Sequence, residues 1–233
     1  MTNAAVGRSR NESMETATPA QIYLQPIAAP LILGLFGFSG VTFIVAAHMA
    51  HWYGGANTDL YLASFAATFG GLAQFMAGMW AFKARDAVAT AMHGMWGAFW
   101  IAYGILEYEF VSGVLHRPTG AFPALGYWFI VLAAITWMGA WAASAENRVV
   151  SAVMAFLPAG STVGAIAELV GSEGARIIAG YLFIISAIIA WYAASAMMLE
   201  SAFHRHMLAS GRVPNHETSV VAGIGEPGVI RGQ

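Results

Sequence analysis

Six stretches of mostly apolar residues dominate this chain, at 28–50, 59–82, 87–107, 123–144, 149–170 and 176–199. Each reaches the roughly 20 residues that an α-helix needs to cross the hydrocarbon of a bilayer. No water is available there to bond a free N–H or C=O, so continuous apolar segments of this length must satisfy their backbone internally, as helices. Charged residues make up only 9% of the chain and hydrophobic ones 58%, against about 25% charged in soluble domains. A soluble fold could not solvate its surface with so few charges. The expected fold is therefore an all-α integral membrane protein with six transmembrane helices.

The breaks between the stretches have visible causes. Gly54-Gly55-Ala56-Asn57 follows the first, and Lys83, Arg85 and Asp86 divide the second from the third. A polar and aromatic loop runs from Glu107 to Pro118, and Glu146-Asn147-Arg148 and Gly171-Ser172-Glu173-Gly174 make the last two links. Links this short predict antiparallel neighbours. With the N-terminus inside, the inner segments hold Arg8, Arg10, Lys83, Arg85, Arg148, Arg205, Arg212 and Arg231, whereas the outer loops hold Arg117 and Arg176. That bias follows the rule that cytoplasmic loops are the basic ones. Both ends are expected in the cytoplasm of a multi-pass plasma (inner) membrane protein. Residues 1–25 read as a flexible tail without a signal-peptide layout, 26–203 as the transmembrane domain and 204–233 as a second flexible tail.

Several function classes drop out. A net charge of −2 gives no case for nucleic-acid binding. There are no cysteines, hence no disulfide, thiolate nucleophile or zinc–cysteine site. No HExxH, GxSxG or GxxxxGK run occurs, and the single lysine, Lys83, lies at a span edge. The chain reads as neither an enzyme nor a cofactor carrier. His48 and His51, three apart at the end of the first span, could share a helical face, but they lack carboxylate neighbours in sequence. They read as interfacial residues beside Trp52 and Tyr53 rather than as metal ligands.

Charged groups are almost absent at membrane depth, where the candidates are Gln74, His93 and Glu168. Gln74 stands in "FGGLAQFMAGMW", residues 69 to 80. An amide has two donors and an acceptor, and burying it unpaired costs several kcal/mol relative to water. Ala67, Gly71, Gln74 and Gly78 share one helical face, as do Leu157, Ser161, Gly164 and Glu168 beside Pro158. Gly34, Gly37 and Gly40 recur in the first span. Small residues let helices approach closely or leave room for a pore. Packing accounts for glycines but not for an amide, so Gln74 either bonds across helices or lines a wet path.

The run "FGGLAQFMAGMWAFKARDAVATAMHGMWGAFW" resembles the acetate uptake transporter family of YaaH or SatP type. The family pattern Y/F-G-G-x-A-Q-x-x-A-G is met by Phe69, Gly70, Gly71, Ala73, Gln74, Ala77 and Gly78. Lys83 follows, then Trp96, Gly97, Phe99 and Trp100 at the family spacing. The N-terminal signature N-P-A-P-L-G-L is kept in part, through Pro30, Leu33, Gly34 and Leu35. Its Asn and second Pro are absent, which leaves the identity of the solute open. The resemblance implies a homohexamer whose protomers each hold a six-helix path for a small carboxylate and a proton across the lipid bilayer. It also implies an apolar constriction, carried here by Phe38, Trp96 and Leu157, with Gln74, Gly71, Gly78, Pro30, Gly34 and Ser161 along the path. Each constriction residue lies within about three residues of its span's centre, or about 5 Å, so one shared depth is expected. An apolar ring excludes ions by dewetting. Glu168, His48 and His51 at the outer mouth are candidate proton or selectivity groups. The expected activity is uptake of acetate, succinate or a similar acid, either proton-coupled or channel-like. Passage of a neutral solute or ammonia export on the same fold, or a membrane scaffold without transport, are the alternatives.

Overall fold

The computed structural model describes residues 27–213, and these are helical apart from their links and one bridge between Asn147 and Arg212. The helices are α1 (Pro30–Met49), α2 (Thr58–Phe65), a π-helical stretch (Ala66–Leu72), α3 (Ala73–Ala84), α4 (Ala87–Val111), α5 (Pro123–Ser144), α6 (Arg148–Val170) and α7 (Glu173–Phe203). The expected second span, Thr58–Ala84, is thus one rod with a wide turn in its middle. It, α1, α5, α6 and α7 are each long and apolar enough to cross a membrane. The 25-residue α4 is long enough but less apolar, because it carries His93, Trp96, Trp100, Tyr103 and Glu107 along its length.

Helix ends follow local chemistry. Pro30 and Pro123 sit in the first turns of α1 and α5, where a missing N–H costs nothing. Asp86, Asn147 and Ser172 cap α4, α6 and α7 by accepting from first-turn amides. Gly171 closes α6 at φ 68°. Two boundaries differ from expectation. α1 stops at Met49 and turns through His51, whose φ is 60°, ahead of the glycine pair. α4 continues past Glu107 to Val111, which moves Glu107 from a loop onto a helix.

The helices close into a ring. α5 packs on α6, α6 on α7, α7 on α1, α1 on the second span, and that span on α4, with α4 touching α5. The core inside contains Leu35, Phe38, Trp96, Phe99, Phe129, Leu132, Leu157 and Phe183. Outward-facing residues are equally apolar: Phe69, Leu72, Met76, Trp80, Trp137, Trp141, Ile188 and Trp191 are exposed. An apolar surface on this scale suits lipid as its solvent.

The expected C-terminal tail divides. Residues 204–213 dock on the α5–α6 link: Asn147 Nδ2 donates to the Ser210 carbonyl at 2.9 Å, and the Arg148 amide to the Gly211 carbonyl at 2.8 Å. Arg212 pairs with Glu200 at 3.1 Å. The remainder of that tail and the expected N-terminal tail lie outside the described residues.

Candidate functional site

Inward-facing stripes on α1, α4 and α6 build the site. On α1 the stripe includes Phe38, Thr42, Val45 and Met49. On α4 it includes His93, Trp96, Trp100, Tyr103 and Glu107, at helical spacing. Phe38 meets Trp96 edge to face, with centroids 6.4 Å apart at 71°. Leu157 of α6 belongs to the same apolar cluster. The Trp96 ring is held in place from α5. Its Nε1 donates to Thr136 Oγ1 at 3.0 Å, and that hydroxyl donates to the Leu132 carbonyl at 2.7 Å. Thr136, fully buried, is a positioning residue that the sequence reading passed over; a lone threonine in an apolar span was its only signal.

The glycines have packing duties. A Cβ at Gly71 would lie 2.6 Å from Ile101 Cγ1 of α4, and one at Gly78 would lie 2.6 Å from the Gly94 nitrogen. Both therefore set how closely the second span and α4 approach. A Cβ at Gly34 would run into the His93 imidazole, so Gly34 makes the room that His93 occupies. Pro30 opens α1. Ser161 is fully buried, and its hydroxyl donates back to the Leu157 carbonyl at 3.0 Å.

Gln74 does not bond across helices. It is 0% exposed, yet its Nε2 donates to the Gly70 carbonyl of its own preceding turn at 3.1 Å. Its Oε1 has no partner.

At one end of the ring a vestibule of about 590 Å³ opens. Two charge chains line it. In one, His48 Nε2 lies 3.4 Å from Asp59 Oδ1, Asp59 Oδ2 takes a bond from Arg117 at 3.1 Å, and Arg117 reaches the buried Glu107. In the other, His51 Nε2 lies 2.6 Å from Glu173, and Arg176 joins Glu173 to Glu168, whose Oε1 it meets at 2.9 Å. Burial works to lower the Arg117 pKa, but its bond to Glu107 and the charges of Glu107 and Asp59 outweigh that and hold it above the ordinary value. Arg117 also lies over the Phe110 ring at 4.8 Å. The structure thus gathers Glu168, His48 and His51 into one vestibule, although the two histidines join different chains instead of sharing a helical face. Each has the carboxylate neighbour that the sequence hid, because Asp59 and Glu173 come from other helices. Among the described residues no group of three or more His, Asp or Glu is placed to hold a metal.

Residues 12–213 match the model of the GPR1/FUN34/yaaH family. The chain belongs to that family. Within reach of it are curated proteins of modest similarity. The "Ammonia transport outward protein 2" of Saccharomyces cerevisiae is 26% identical over 182 residues, which cover 76% of this chain and 63% of that protein. The present chain therefore spans less than two thirds of that relative's length. The "Acetate transporter protein patA" of Aspergillus clavatus is 24% identical over 210 residues, covering 86% of this chain and 84% of the relative. The solved structure of the bacterial acetate channel SatP superposes with a TM-score of 0.72 at 22% identity, covering 78% of this chain and 98% of that one. The GPR1/FUN34/yaaH chain described here therefore shares that fold, and it is a multi-pass membrane protein.

Proposed function

We propose that this chain passes acetate or a similar short-chain carboxylate through its own helical ring. The path descends from the vestibule, between α1, the second span, α4, α5 and α6, to a constriction made by Phe38, Trp96 and Leu157. The observation that carries the reading is the edge-to-face Phe38–Trp96 pair lying inward of a charged vestibule in a ring of apolar helices. In this reading the vestibule is extracellular, the protein sits in the plasma (inner) membrane with six crossings, and both ends are cytoplasmic. Copies assemble as a homohexamer in which each protomer keeps its own path.

The physics favours a solute that sheds its charge. A carboxylate anion meets an apolar constriction with a large desolvation cost, whereas the neutral acid, which forms near pH 4 to 5 for simple carboxyls, does not. Uptake is then accompanied by a proton, as symport or as channel-like passage of the acid. His48, His51 and Glu168 are the proton or selectivity groups of the mouth. Gln74 and Ser161 border the path; Gly34, Gly71 and Gly78 hold its walls together, and Pro30 starts the α1 wall. Succinate fits the same reading as a longer acid.

Uptake of labelled acetate into proteoliposomes tests this directly. The reading expects protein-dependent uptake that rises with an inward proton gradient. Uptake indifferent to that gradient would remove the coupling.

Export of ammonia on the same fold is the second reading, favoured by the name of the yeast relative. Competition of acetate uptake by succinate, lactate and ammonium separates the two.

A further inference from the structure

Among the described residues, four buried side-chain atoms lack a hydrogen-bond partner: Thr42 Oγ1, Gln74 Oε1, Trp100 Nε1 and Glu200 Oε2. The last faces His206 Nδ1 at 3.3 Å in a longer ion pair. The other three have no partner. Unpaired buried polar atoms are rare in folded proteins and each calls for an explanation. Thr42 also declines the usual refuge of a helical hydroxyl. Ser161, Thr162 and Thr136 all donate to the carbonyl four residues back, but Thr42, 3% exposed, does not.

Register places the three groups. Thr42 is one turn beyond Phe38, and Trp100 one turn beyond Trp96. The C-terminal ends of α1 and α4 both line the vestibule, through His48 and Met49 and through Tyr103, Glu107 and Phe110, so the two helices run the same way. Thr42 and Trp100 therefore lie on the vestibule side of the aromatic pair, about 6 Å outward at 1.5 Å per residue. Gln74 lies at the depth of the pair, since a Cβ at Gly37, next to Phe38, would be 3.5 Å from Gln74 Cγ. Its orientation is fixed by Gly70: the end that bonds a carbonyl must be the NH₂, so the end left unpaired is the oxygen.

The polarity of this arrangement is specific. Indole N–H only donates, a hydroxyl donates or accepts, and an amide oxygen only accepts. We propose that Trp100, Thr42 and Gln74 form a binding site for the undissociated carboxylic acid, which accepts from Trp100 and Thr42 through its carbonyl and donates its O–H to Gln74 Oε1 at the ring. An anion satisfies the first pair and then meets the amide oxygen's lone pairs with nothing to donate. Ammonium has nothing for Trp100 to donate to. The proton thus crosses the constriction on the solute, and no proton relay through the protein is needed there. This inference rests on the carboxylate-transport reading above.

The titratable groups facing this stretch are His93 on α4, inward of the ring; Tyr103 and Glu107 on α4, His48 on α1 and Glu168 on α6 lie outward. A neutral solute separates their titration from the acid's. Acetamide has the donor and acceptor of acetic acid and does not ionise in this range. The test measures protein-dependent flux of labelled acetate and labelled acetamide in proteoliposomes of the full chain, at fixed total concentration, at pH 5 and pH 7. Acetate flux is expected to fall on the order of a hundredfold between them, tracking the neutral fraction of a carboxyl that titrates near pH 4 to 5, while acetamide flux stays level. Thr42→Val and Gln74→Met keep side-chain bulk and Trp100→Phe keeps an aromatic ring; each should cut both fluxes about tenfold, the factor one net hydrogen bond supplies. Thr42→Ser should recover most of the Thr42→Val loss, which a packing role would not do.

Acetate flux equal at the two pH values overturns the inference, as does acetamide flux that falls in parallel with acetate, because a protein group is then titrating. Wild-type flux in the three variants also overturns it while leaving transport standing. Absence of any protein-dependent flux of either solute in the wild type overturns the transport reading itself.

Discussion

Glu107 is a carboxylate with only 5% of its side chain exposed, and it is tolerated because Arg117 reaches across from the α4–α5 link. Removing one partner of a buried pair leaves an uncompensated charge. Arg117 is half-exposed, which lowers the value of the pair relative to a fully buried one. Arg117→Gln should therefore cost about 2 kcal/mol, read as a drop of several degrees in the melting temperature in detergent. Adding Glu107→Gln should recover most of that loss, because the stranded charge is gone. If the double variant melts no higher than the single one, the pair is not what holds this corner. At this scale the sequence was half legible. It displayed Gln74, Glu168, His48 and His51 as polar groups in or near apolar runs. It could not display that Asp59 and Glu173 would meet the histidines, because partners 11 and 122 residues apart are joined only by the fold. Nor did it flag Thr42, and it marked Trp100 only as part of a pattern, whereas the interest of both lies in what they fail to bond.

Among the elements, the second span shows most clearly what periodicity captures and what it misses. Spacing by 3.6 residues put Gly71 and Gly78 on one face, and both do press against α4. The same spacing assumed a regular helix, whereas residues Ala66–Leu72 form a π-helical turn. A wide turn of this kind adds residues without adding a turn and is common where function needs a rotated register. Here it lets Gly70 press on Val41 of α1 while Gly71 presses on Ile101 of α4. Deleting Thr68 should close this turn to regular α-helix while leaving α2 and α3 near their present register, because the wide turn is what absorbs the extra residue. A monodisperse species in size-exclusion chromatography is the expected readout, and its loss would mean that Gly70 and Gly71 need the wide turn to seat. Gly78→Leu should act on the same contact from the other end, since even a Cβ there lies 2.6 Å from the α4 backbone. An overpacking cost of roughly 1–3 kcal/mol is expected, with a lowered melting temperature as the readout; a melting temperature equal to wild type would mean that α3 and α4 can part without penalty. The end of α4 that sequence misjudged has a visible cause. Glu107 and Glu109 look like loop residues in an apolar context, yet α4 carries both because Arg117 offsets the charge of Glu107.

For the whole molecule, an all-helical membrane fold of long apolar helices was legible in the apolar runs, because lipid permits so few backbone solutions; the number of crossings was less so, since α4 is less apolar than the other long helices. Which stripes face inward was also less legible, since nearly every face is apolar and only contacts tell an outward-facing phenylalanine from a buried one. Phe69 is exposed and Phe38 is buried, although both stand beside glycines in similar runs. The proposed gate gives a prediction at this scale. Trp96→Ala removes the ring that Phe38 leans on and that Thr136 steadies, so the substrate range should widen toward larger acids such as lactate and succinate. A range unchanged in that variant would place the gate elsewhere.

The central claim is that this membrane protein carries a short carboxylic acid. Protein-dependent uptake of labelled acetate into liposomes, measured at two external pH values with succinate, lactate and ammonium as competitors, tests it most directly. Greater uptake at the lower pH, competed by the acids and untouched by ammonium, is the predicted result. Uptake that ignores external pH, or that ammonium suppresses and the acids do not, would contradict it.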